Sequence, residues 1–431
     1  MPIIKHITAR EIIDSRSNPT VEASVTLTDG TVGISSVPEG ASKGFYEAIE
    51  LRDNDPFRYR GQGVLTAVDH VNQTINKYFQ NKDIADTYML DQILIDLDGT
   101  ENKSKLGANA ILPVSMAFTE ACAQSLNTPL YVFINHLYNQ RFQPVKINLP
   151  QPTFNLINGG KHGVGNNIDF QEYHIIFSND YIYPDALKLA SEVFHTLGLL
   201  LKEGGYWPVI GDEGGYAPNL PNNEIGLTLI QQAAESLHLT LGNDFNLGLD
   251  LAANSFYTER GYKLKNRYIN NKDLLTLYDS LVAKYKIIYL EDPYAEDDYR
   301  NWSAITLILD TILIVADDLI CTNISRLTKA IKFHAGNAAL IKPNQIGTIS
   351  ESFSAISLAR QSGQKIIVSH RSGETEEDFI ADFAVGVGAD MVKFGAPNRG
   401  ERTVKYNRLL AINEELSKAY PPIALPIEAI S

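Results

Sequence analysis

The chain has 431 residues, of which 44% are hydrophobic, and it carries a formal net charge of −14. This length allows a large core and predicts two or three domains, or one barrel with an addition. The negative charge, without a clustered lysine and arginine tract, argues against a general binder of nucleic acid or anionic membranes. An anionic substrate would therefore need a local positive pocket.

Cysteine usage and the N-terminal residues indicate the compartment. Cys122 and Cys321 lie far apart in apolar or small-residue surroundings, which favours two unpaired thiols over a disulfide framework. The opening MPIIKHITAREI lacks the apolar stretch of a secretory signal. No run approaches the roughly 20 residues needed to cross a bilayer. The sequence therefore predicts a cytoplasmic protein without a membrane span.

The first third of the chain predicts an α+β domain. Residues 2–11 and 20–29 have strand patterns on either side of the turn DSRSNPT, which predicts an antiparallel pair. The segment ANAILPVSMAFTEACAQSLNTPLYVFINHL repeats apolar positions at helical spacing and predicts a packed helical layer. The polar stretch 139–146 is the predicted linker. We therefore expect an N-terminal domain over residues 1–138 and a second domain over 139–431.

Short apolar runs in the second half of the chain end on charged or imidazole side chains. The residues at these ends are Asp250, Glu291, Asp317, Lys342, His370 and Lys393. Their spacing is close to the roughly 30 residues per strand-helix unit of an eight-fold barrel. Strands buried on both faces read as continuous apolar runs, and polar groups belong at their carboxyl ends. The pattern predicts an α/β fold with an eight-stranded TIM-type barrel, and TVKYNRLLAINEELSKAY predicts a helix packed outside it.

Three carboxylates at successive predicted strand ends form the strongest chemical signal. Asp250, Glu291 and Asp317 would converge at the mouth of the barrel. Hard oxygen ligands suit Mg²⁺, whereas zinc favours sulfur or histidine clusters. Any one of these acids is explained about as well by capping of the following helix. The three together favour a metal, because a divalent cation relieves the repulsion among clustered like charges.

Cationic and hydroxyl side chains are predicted to face these acids at the mouth of the barrel. Lys342 and Lys393 emerge from hydrophobic strands, where burial and neighbouring cations should lower their pKa, and Lys342 is the candidate base. The tetrad SHRS at residues 369–372 supplies donors for a phosphate, because arginine can bind one through two parallel hydrogen bonds. A polar loop paired with the acids of GETEED is the alternative interpretation of the tetrad.

Two glutamates earlier in the chain are candidate proton donors. Glu213 lies between Asp212 and two glycines, in a sharp turn that would present its carboxylate to a cavity. Gln171 and Glu172 follow an apolar, strand-like run. A general acid needs a carboxyl whose pKa is raised by burial or by negative neighbours, as two glutamates in one site would provide. Simple turn chemistry is the alternative for Glu213.

These groups together define a reaction class. A metal clamp, a lysine base, a carboxylic acid and phosphate-binding donors suit removal of a proton next to a carboxylate, because cations must stabilise the resulting enediolate. Elimination of a β-hydroxyl group follows naturally from that intermediate. The sequence therefore predicts a dehydratase that acts on a small phosphorylated acid.

Long motifs along nearly the whole chain occur in the order and at nearly the spacing of one known family. They are AREIIDSRSNPTVE, LGANAILPVSMA, NGGKH, NNIDFQE, GDEGGYAPN, LEDPYAEDDY, ADDLICTN, LIKPNQIGT, VSHRSGETEEDF and GAPNRGERTVKYN. With these motifs the chain closely resembles the enolase family. The resemblance implies a small N-terminal domain, a barrel whose first strands and helices depart from strict alternation, and homo-oligomers built on dimers.

The resemblance also implies roles for individual residues. Two Mg²⁺ ions would bind per active site, one held by Asp250, Glu291 and Asp317, and a second that arrives with substrate and is held in part by Ser42. The expected catalytic residues are Lys342 as the base for the C2 proton of 2-phosphoglycerate, Glu213 as the acid for the C3 hydroxyl, Glu172 beside it, and His162 on a mobile loop. The residues expected to grip the carboxylate and phosphate are Gln171, His370, Arg371, Ser372 and Lys393. A solvated loop histidine is the alternative for His162.

Several positions depart from the family pattern. Glu39 and Lys43 add an acid and a base to the first mobile loop, which would change metal affinity and lid closure. The stretch GVGNN after His162 is one residue longer than usual, Phe394 replaces a small polar residue, and Gly400 replaces a serine. These changes are expected to cluster around the pocket, so we expect retained dehydration with altered kinetics or a variant substrate.

Three functional interpretations follow from the sequence. The first is reversible Mg²⁺-dependent dehydration of 2-phospho-D-glycerate to phosphoenolpyruvate in glycolysis or gluconeogenesis. The second is a specialised paralogue that dehydrates a related phosphonate or phosphorylated hydroxy acid. The third is a scaffold that retains the fold without catalysis, which would not need Glu213, Lys342, His370 and Lys393 together.

Overall fold

The N-terminal part of the chain is built on an antiparallel sheet. The structure, a computed structural model, describes residues 3–41, 44–163, 165–265 and 267–419. The sheet strands are β1 (Ile3–Ile13), β2 (Pro19–Leu27), β3 (Val32–Ser36) and β4 (Lys82–Asp83), in the spatial order β3-β2-β1-β4. The predicted antiparallel pairing of the first two strands is confirmed. The Asp14 carboxylate stabilises the turn between them by accepting from the backbone N–H groups of Arg16 and Asn18.

Helices pack against this sheet and confirm the predicted α+β domain. They are α1 (Leu65–Asp69), α2 (Asn76–Phe79), α3 (Thr87–Asp98), α4 (Ala108–Ser125) and α5 (Leu130–Arg141), with a π-helical turn at His70–Ile75. Gly33 of β3 faces the backbone of Ala117 in α4, where a Cβ would overlap it. Helix α5 ends at Arg141, so the first part of the predicted linker 139–146 is helical. The boundary at residue 138 stays a prediction, and α5 favours a point a few residues later.

The rest of the described chain forms a closed eight-stranded barrel, as predicted. Its strands are β5 (Gln151–Asn158), β6 (Glu172–Phe177), β7 (Phe245–Asp250), β11 (Ile287–Glu291), β12 (Leu313–Ala316), β13 (Ala338–Ile341), β14 (Lys365–Ser369) and β15 (Met391–Lys393). A separate small sheet holds β8 (Tyr257–Thr258), β9 (Gly261–Leu264) and β10 (Arg267–Ile269). Around the barrel the order is β11, β12, β13, β14, β15, β5, β6, β7.

The first half of the barrel is irregular, which confirms the expectation from the family resemblance. Strand β6 runs antiparallel to both neighbours, β5 and β7, whereas the other adjacent pairs are parallel. A parallel pair needs a long crossover, usually a helix. Among the described residues between β5 and β6, the one helical segment is a short 3₁₀ turn at Gly160–His162. The second strand therefore returns in the opposite direction.

Helices surround the barrel. They are α6 (Tyr183–Glu203), α7 (Asn223–Glu235), α8 (Asn271–Tyr285), α9 (Tyr299–Ile308), α10 (Ile324–Lys332), α11 (Ile349–Gln361), α12 (Phe379–Gly386) and α13 (Gly400–Ala419). Helix α13 contacts α6 and α12, as predicted for a helix outside the barrel. No helix in the described ranges is long and apolar enough to cross a membrane. Cys122 and Cys321 are buried free thiols, which confirms that prediction.

The barrel brings the predicted polar residues to one end. Asp250, Glu291 and Lys393 end their strands, and Asp317, Lys342 and His370 directly follow theirs. Glu172 is the exception, because it begins β6 instead of following a strand as predicted. Since β6 runs opposite to its neighbours, its first residue lies at the same end of the barrel as Asp250 of β7. All these side chains therefore face one site.

Candidate active site

The predicted residues meet in one cavity at this end of the barrel. Its lining in the described chain is Gly40, His162, Gln171, Glu172, Glu213, Asp250, Lys342, Ser369, His370, Arg371, Ser372 and Lys393. Glu291 and Asp317 are buried beside it, and Ser42 lies outside the described residues. The free volume is about 10 Å³, roughly the space for one water molecule. The cavity is therefore closed to a small-molecule substrate in this structure, and Gly40 and His162 are among the residues that line it.

The Lys393 ammonium lies in a cage of three carboxylates. Its Nζ donates to both carboxylate oxygens of Glu291 at 2.8 Å and to Oδ2 of Asp250 at 3.0 Å, and it lies 3.2 Å from Oε1 of Glu172. Burial lowers the pKa of Lys393, but the carboxylates raise it well above its usual value. The expectation of a lowered pKa is therefore wrong for Lys393, because its closest neighbours are anions.

The second cavity lysine is also paired. Lys342 donates to Oδ2 of Asp317, whose Oδ1 accepts from Gln345 Nε2 at 2.8 Å. Burial lowers the pKa of Lys342, but Asp317 more than offsets this, so its pKa is raised and the expectation of a lowered value is wrong here. Burial likewise raises the pKa of Asp317, and the Lys342 ammonium brings it below its usual value. Lys342 is thus an ammonium while this pair persists.

Asp250, Glu291 and Asp317 do not form one group with ligand atoms within 4.8 Å of one another in this structure. Within the described residues, two groups place possible ligand atoms within 4.8 Å of one another. They are His162, Glu172 and Glu213, and Asp292, Asp317 and Asp318. Asp317 belongs to the second group, whereas Asp250 and Glu291 belong to neither. The reason is that Asp250 and Glu291 close around the Lys393 ammonium while Asp317 turns to Lys342.

The donor set nevertheless fits a divalent cation. Burial raises the pKa of Glu291 well above its usual value, and the nearby Asp250 carboxylate raises it further despite the Lys393 ammonium. The site therefore holds more buried carboxylate than its two lysines neutralise. Oxygen donors with this excess of negative charge suit a hard divalent cation such as Mg²⁺.

On another side of the cavity an imidazole lies between two glutamates. Nδ1 of His162 is 3.4 Å from Oε1 of Glu172 and 3.4 Å from Oε1 of Glu213. His162 is buried, so the alternative of a solvated loop histidine is wrong for this structure. Burial lowers the pKa of His162, but Glu213 and Glu172 raise it overall. The two acids therefore favour the protonated form of the imidazole more than water does.

Glu213 has the opposite protonation to the one expected for a resting general acid. Burial and Glu172 raise its pKa, but His162 and His370 lower it to about 2. Oε2 of Glu213 accepts from Asn155 Nδ2 at 3.0 Å and lies 3.3 Å from Nε2 of His370. The expected raised pKa is thus wrong in this state, because the histidines outweigh the neighbouring carboxylate.

The predicted phosphate tetrad joins the barrel to the N-terminal part of the chain. Arg371 donates to both carboxylate oxygens of Glu47, at 2.8 and 3.1 Å. Its backbone N–H donates to Oε1 of Glu374 at 3.0 Å, which agrees in part with the polar-loop alternative. Oγ of Ser372 accepts from the backbone N–H of Ala41 at 2.5 Å. The tetrad thus holds the loop that carries Gly40 against the cavity.

Gln171 and Arg402 complete the site. Gln171 donates to Oδ2 of Asp250 at 3.2 Å, and its own side-chain oxygen is buried without a hydrogen-bond partner. Arg402 is fully buried and donates to the backbone oxygens of residues 212, 371 and 372 and to Nδ1 of His370. Arg402 was not predicted as a site residue, because it lies in the first turn of α13 instead of ending a strand. Its only signal was the motif GAPNRGERTVKYN.

Some of the departures from the family pattern lie within the described residues. Glu39 accepts from Arg52 at 2.8 Å. Phe394 is buried with its ring centroid 6.0 Å from that of Tyr406, and a Cβ at Gly400 would meet nothing within 4 Å. Phe394 directly follows the cavity residue Lys393, and the expected effect of these departures on the pocket stays a prediction. Lys43 and Val164 of the altered loops lie outside the described residues.

Comparison with protein-family models identifies the family of both domains. A model described as the enolase N-terminal domain matches residues 4–134, and one described as the enolase C-terminal TIM barrel domain matches residues 146–421. These domains support a lyase of hydro-lyase type, in a family that typically uses metal ions. With both domains present in order, the chain belongs to the enolase family.

Proposed function

We propose that this chain carries out the reversible, Mg²⁺-dependent dehydration of 2-phospho-D-glycerate to phosphoenolpyruvate, a step of glycolysis and gluconeogenesis. The observation that carries the proposal is the placement of Lys342 and Glu172 around one cavity. Lys342 follows β13 and Glu172 begins β6, and these strands lie four positions apart in the ring of eight. A base therefore lies across the cavity from Glu172, which together with Glu213 contacts His162.

The proposed base is Lys342, acting as a neutral amine. It takes the C2 proton, and the electron pair of the broken C–H bond moves onto the substrate carboxylate as an enediolate. The return of that pair forms the double bond between C2 and C3 while the bond from C3 to its hydroxyl oxygen breaks. The buried pair with Asp317 keeps Lys342 protonated, so catalysis requires that this pair be broken or neutralised.

The proposed acid is Glu213, with His162 and Glu172 beside it. The leaving hydroxyl group takes a proton from this group and departs as water. The raised pKa of His162 supports a resting state in which the imidazole stores that proton, 3.4 Å from the Glu213 carboxylate. Return of the loop that carries His162 to this position after substrate has entered would then place the proton beside the leaving group.

We propose Asp250, Glu291 and Asp317 as ligands of one Mg²⁺, and Ser42 as a ligand of a second that arrives with substrate. Bound cations would stabilise the charge of the enediolate and neutralise the Asp317 carboxylate that now pairs with Lys342. Substrate carboxylate and phosphate would be gripped by Gln171, His370, Arg371, Ser372 and Lys393. The buried cationic side chains in this set, Arg371 and Lys393, support an anionic ligand.

The test is an absorbance assay of phosphoenolpyruvate formation from 2-phosphoglycerate, with Mg²⁺ and with a chelator. Turnover that needs Mg²⁺ is expected. Failure of folded, metal-loaded protein to turn over 2-phosphoglycerate would exclude the glycolytic role. Turnover of only a phosphonate or another phosphorylated hydroxy acid would indicate a specialised paralogue. If the protein turns over none of these compounds, the interpretation as a non-catalytic scaffold would be favoured.

We also propose a homo-oligomer built from dimers, in the cytoplasm. Exposed apolar side chains on the N-terminal sheet, Ile13 and Ile34, support a protein surface that a second copy covers. Light scattering coupled to size exclusion measures the mass directly. A monomer at micromolar concentration would contradict the oligomer.

A further inference from the structure

Below the catalytic cavity, the interior of the barrel contains a second layer with two polar rings. The cluster that fills the barrel consists of Ile176, Tyr289, Val315, Ala338, Leu340, Ile367 and Met391. His174 lies two residues before Ile176 on β6 and is fully buried. A histidine and a tyrosine therefore occupy a region that is otherwise apolar.

Each of these rings is hydrogen-bonded to a carboxylate of the cavity on its own strand. Nε2 of His174 lies 2.8 Å from Oε2 of Glu172, and the Tyr289 hydroxyl donates to Oε2 of Glu291 at 2.6 Å. In both cases the ring and the carboxylate are two residues apart. Since side chains at that spacing point to the same face of a strand, each ring lies directly below its carboxylate.

The register across three strands aligns the two layers. In the upper layer Asp250 of β7 pairs with both Glu172 and Glu291. In the lower layer Gly248 of β7 pairs with both His174 and Tyr289.

The glycine leaves room for the two rings to meet. A Cβ at Gly248 would lie 3.1 Å from that of Tyr289 and 3.3 Å from that of His174, which is tight. Because a hydrogen stands there instead, the ring centroids lie 5.4 Å apart in an edge-to-face contact.

We propose that His174 and Tyr289 are positioning residues that aim Glu172 and Glu291 at the cavity. With Oε2 of Glu172 engaged by His174, Oε1 is the oxygen that faces His162 and Lys393. The Tyr289 hydroxyl likewise holds Glu291 in one orientation beneath Lys393. A buried carboxylate keeps its orientation only while its oxygens have fixed partners.

The cost of this arrangement supports a functional role over simple packing. Nδ1 of His174 is buried without a hydrogen-bond partner, which disfavours folding. His174→Met removes that cost but leaves Oε2 of Glu172 without its hydrogen-bond partner. We therefore expect His174→Met to fold with a melting temperature at or below that of the unchanged protein.

The test for His174 compares His174→Met with His174→Gln, which keeps an N–H donor. This arm rests on the proposed dehydration. His174→Met should slow phosphoenolpyruvate formation about ten- to a hundredfold, the range for losing one hydrogen bond to a charged group. The rate of C2 proton exchange should fall much less in His174→Met. His174→Gln should form phosphoenolpyruvate faster than His174→Met does, because it keeps an N–H donor. Ile176→Met, one layer lower on the same strand, is the control and should change neither rate.

The test for Tyr289 does not depend on turnover. Tyr289→Phe removes only the hydroxyl group, so titration calorimetry with Mg²⁺ alone should show about tenfold weaker binding. Crystal structures of Tyr289→Phe and His174→Met should show the Glu291 and Glu172 carboxylates rotated from their present orientations. Unchanged carboxylates in both structures, or unchanged Mg²⁺ affinity, would overturn the proposal. Absence of turnover in the unchanged protein would instead refute the proposed function. The Mg²⁺ titration and the crystal structures would then still decide whether the two rings position the carboxylates.

Discussion

Arg402 donates a hydrogen bond to Nδ1 of His370 at 2.7 Å. A guanidinium can only donate, so Nδ1 carries no proton and the neutral ring is protonated at Nε2. Burial lowers the pKa of His370 to about 4, so the ring is neutral at physiological pH. The contact with Arg402 therefore fixes the tautomer and presents an N–H group 3.3 Å from the Glu213 carboxylate.

Loss of the Arg402 guanidinium should impair the acid side of the reaction. We expect Arg402→Ala to lower kcat for phosphoenolpyruvate formation at least a hundredfold, because His370 and the 371–372 backbone lose their common donor. Added guanidinium ion should restore part of the activity, which a generally misfolded variant would not show. Arg408→Ala, on the same helix and paired with Asp382, is the matched control. Lack of rescue in a folded variant would contradict this role.

Removal of the Lys342 amine should stop the first step. We expect Lys342→Ala to reduce exchange of the C2 proton with solvent about 10²- to 10⁴-fold, the usual contribution of a general base. Exchange is measured by NMR on substrate in deuterated buffer with Mg²⁺. Lys365→Ala, whose ammonium pairs with Asp390 on the surface, should exchange normally. Normal exchange in the Lys342 variant would assign the base elsewhere.

Neutralising Glu213 should affect the later step more than the first. We expect Glu213→Gln to lower phosphoenolpyruvate formation by 10²-fold or more, in the range of about 10² to 10⁴ for general acids, and to spare C2 exchange. The amide can still accept from Asn155, so the loop should keep its place. Both rates are measured on one preparation. An equal loss of exchange and of product would refute the division of roles between Lys342 and Glu213.

The Glu39 carboxylate should hold the first loop in its closed position. Glu39 pairs with Arg52 at 2.8 Å, and its backbone N–H and C=O bond to Gly373. Glu39→Gln weakens the ion pair without changing the backbone contacts, so the loop should open more readily and KM should rise several-fold. Steady-state kinetics measure this change. Glu22→Gln removes an exposed pair with Arg10 and is the control. An unchanged KM would show that the backbone contacts alone hold the loop.

Asp91 should make stability depend on pH. Burial raises its pKa from 3.8 to about 7, and its Oδ2 accepts from the backbone N–H of Ser350 in α11. Between pH 3.8 and about pH 7 the folded protein binds more protons than the unfolded chain. The free energy of unfolding therefore falls as pH rises from 3.8 to about 7. Asp91→Asn removes this loss while keeping an acceptor. Its stabilising effect should be small near pH 4 and reach at most roughly 4 kcal/mol above pH 7.

Thermal unfolding at several pH values measures the effect of Asp91→Asn. The control is Asp96→Asn, on the exposed side of the same helix. Equal melting shifts for Asp91→Asn at pH 5 and pH 8 would be inconsistent with a raised pKa.

The amino-acid sequence by itself determined the architecture and the main chemical groups. Apolar runs that end in Asp250, Lys342 or Lys393 predict strand ends because both the run and its polar terminus are local features. The same reasoning gave a wrong position for Glu172, which begins its strand. Strand direction follows from how the chain closes the barrel, and no local pattern encodes that closure.

Only the tertiary structure decided which charges face each other. Pairing of Lys342 with Asp317, and of Lys393 with Glu291, reversed the expected pKa shifts, because these partners come from different strands. The layer of His174 and Tyr289 depends on both being neighbours of Gly248. A side chain's residue type is written in the sequence, but its pKa and orientation depend on neighbours that only folding brings together.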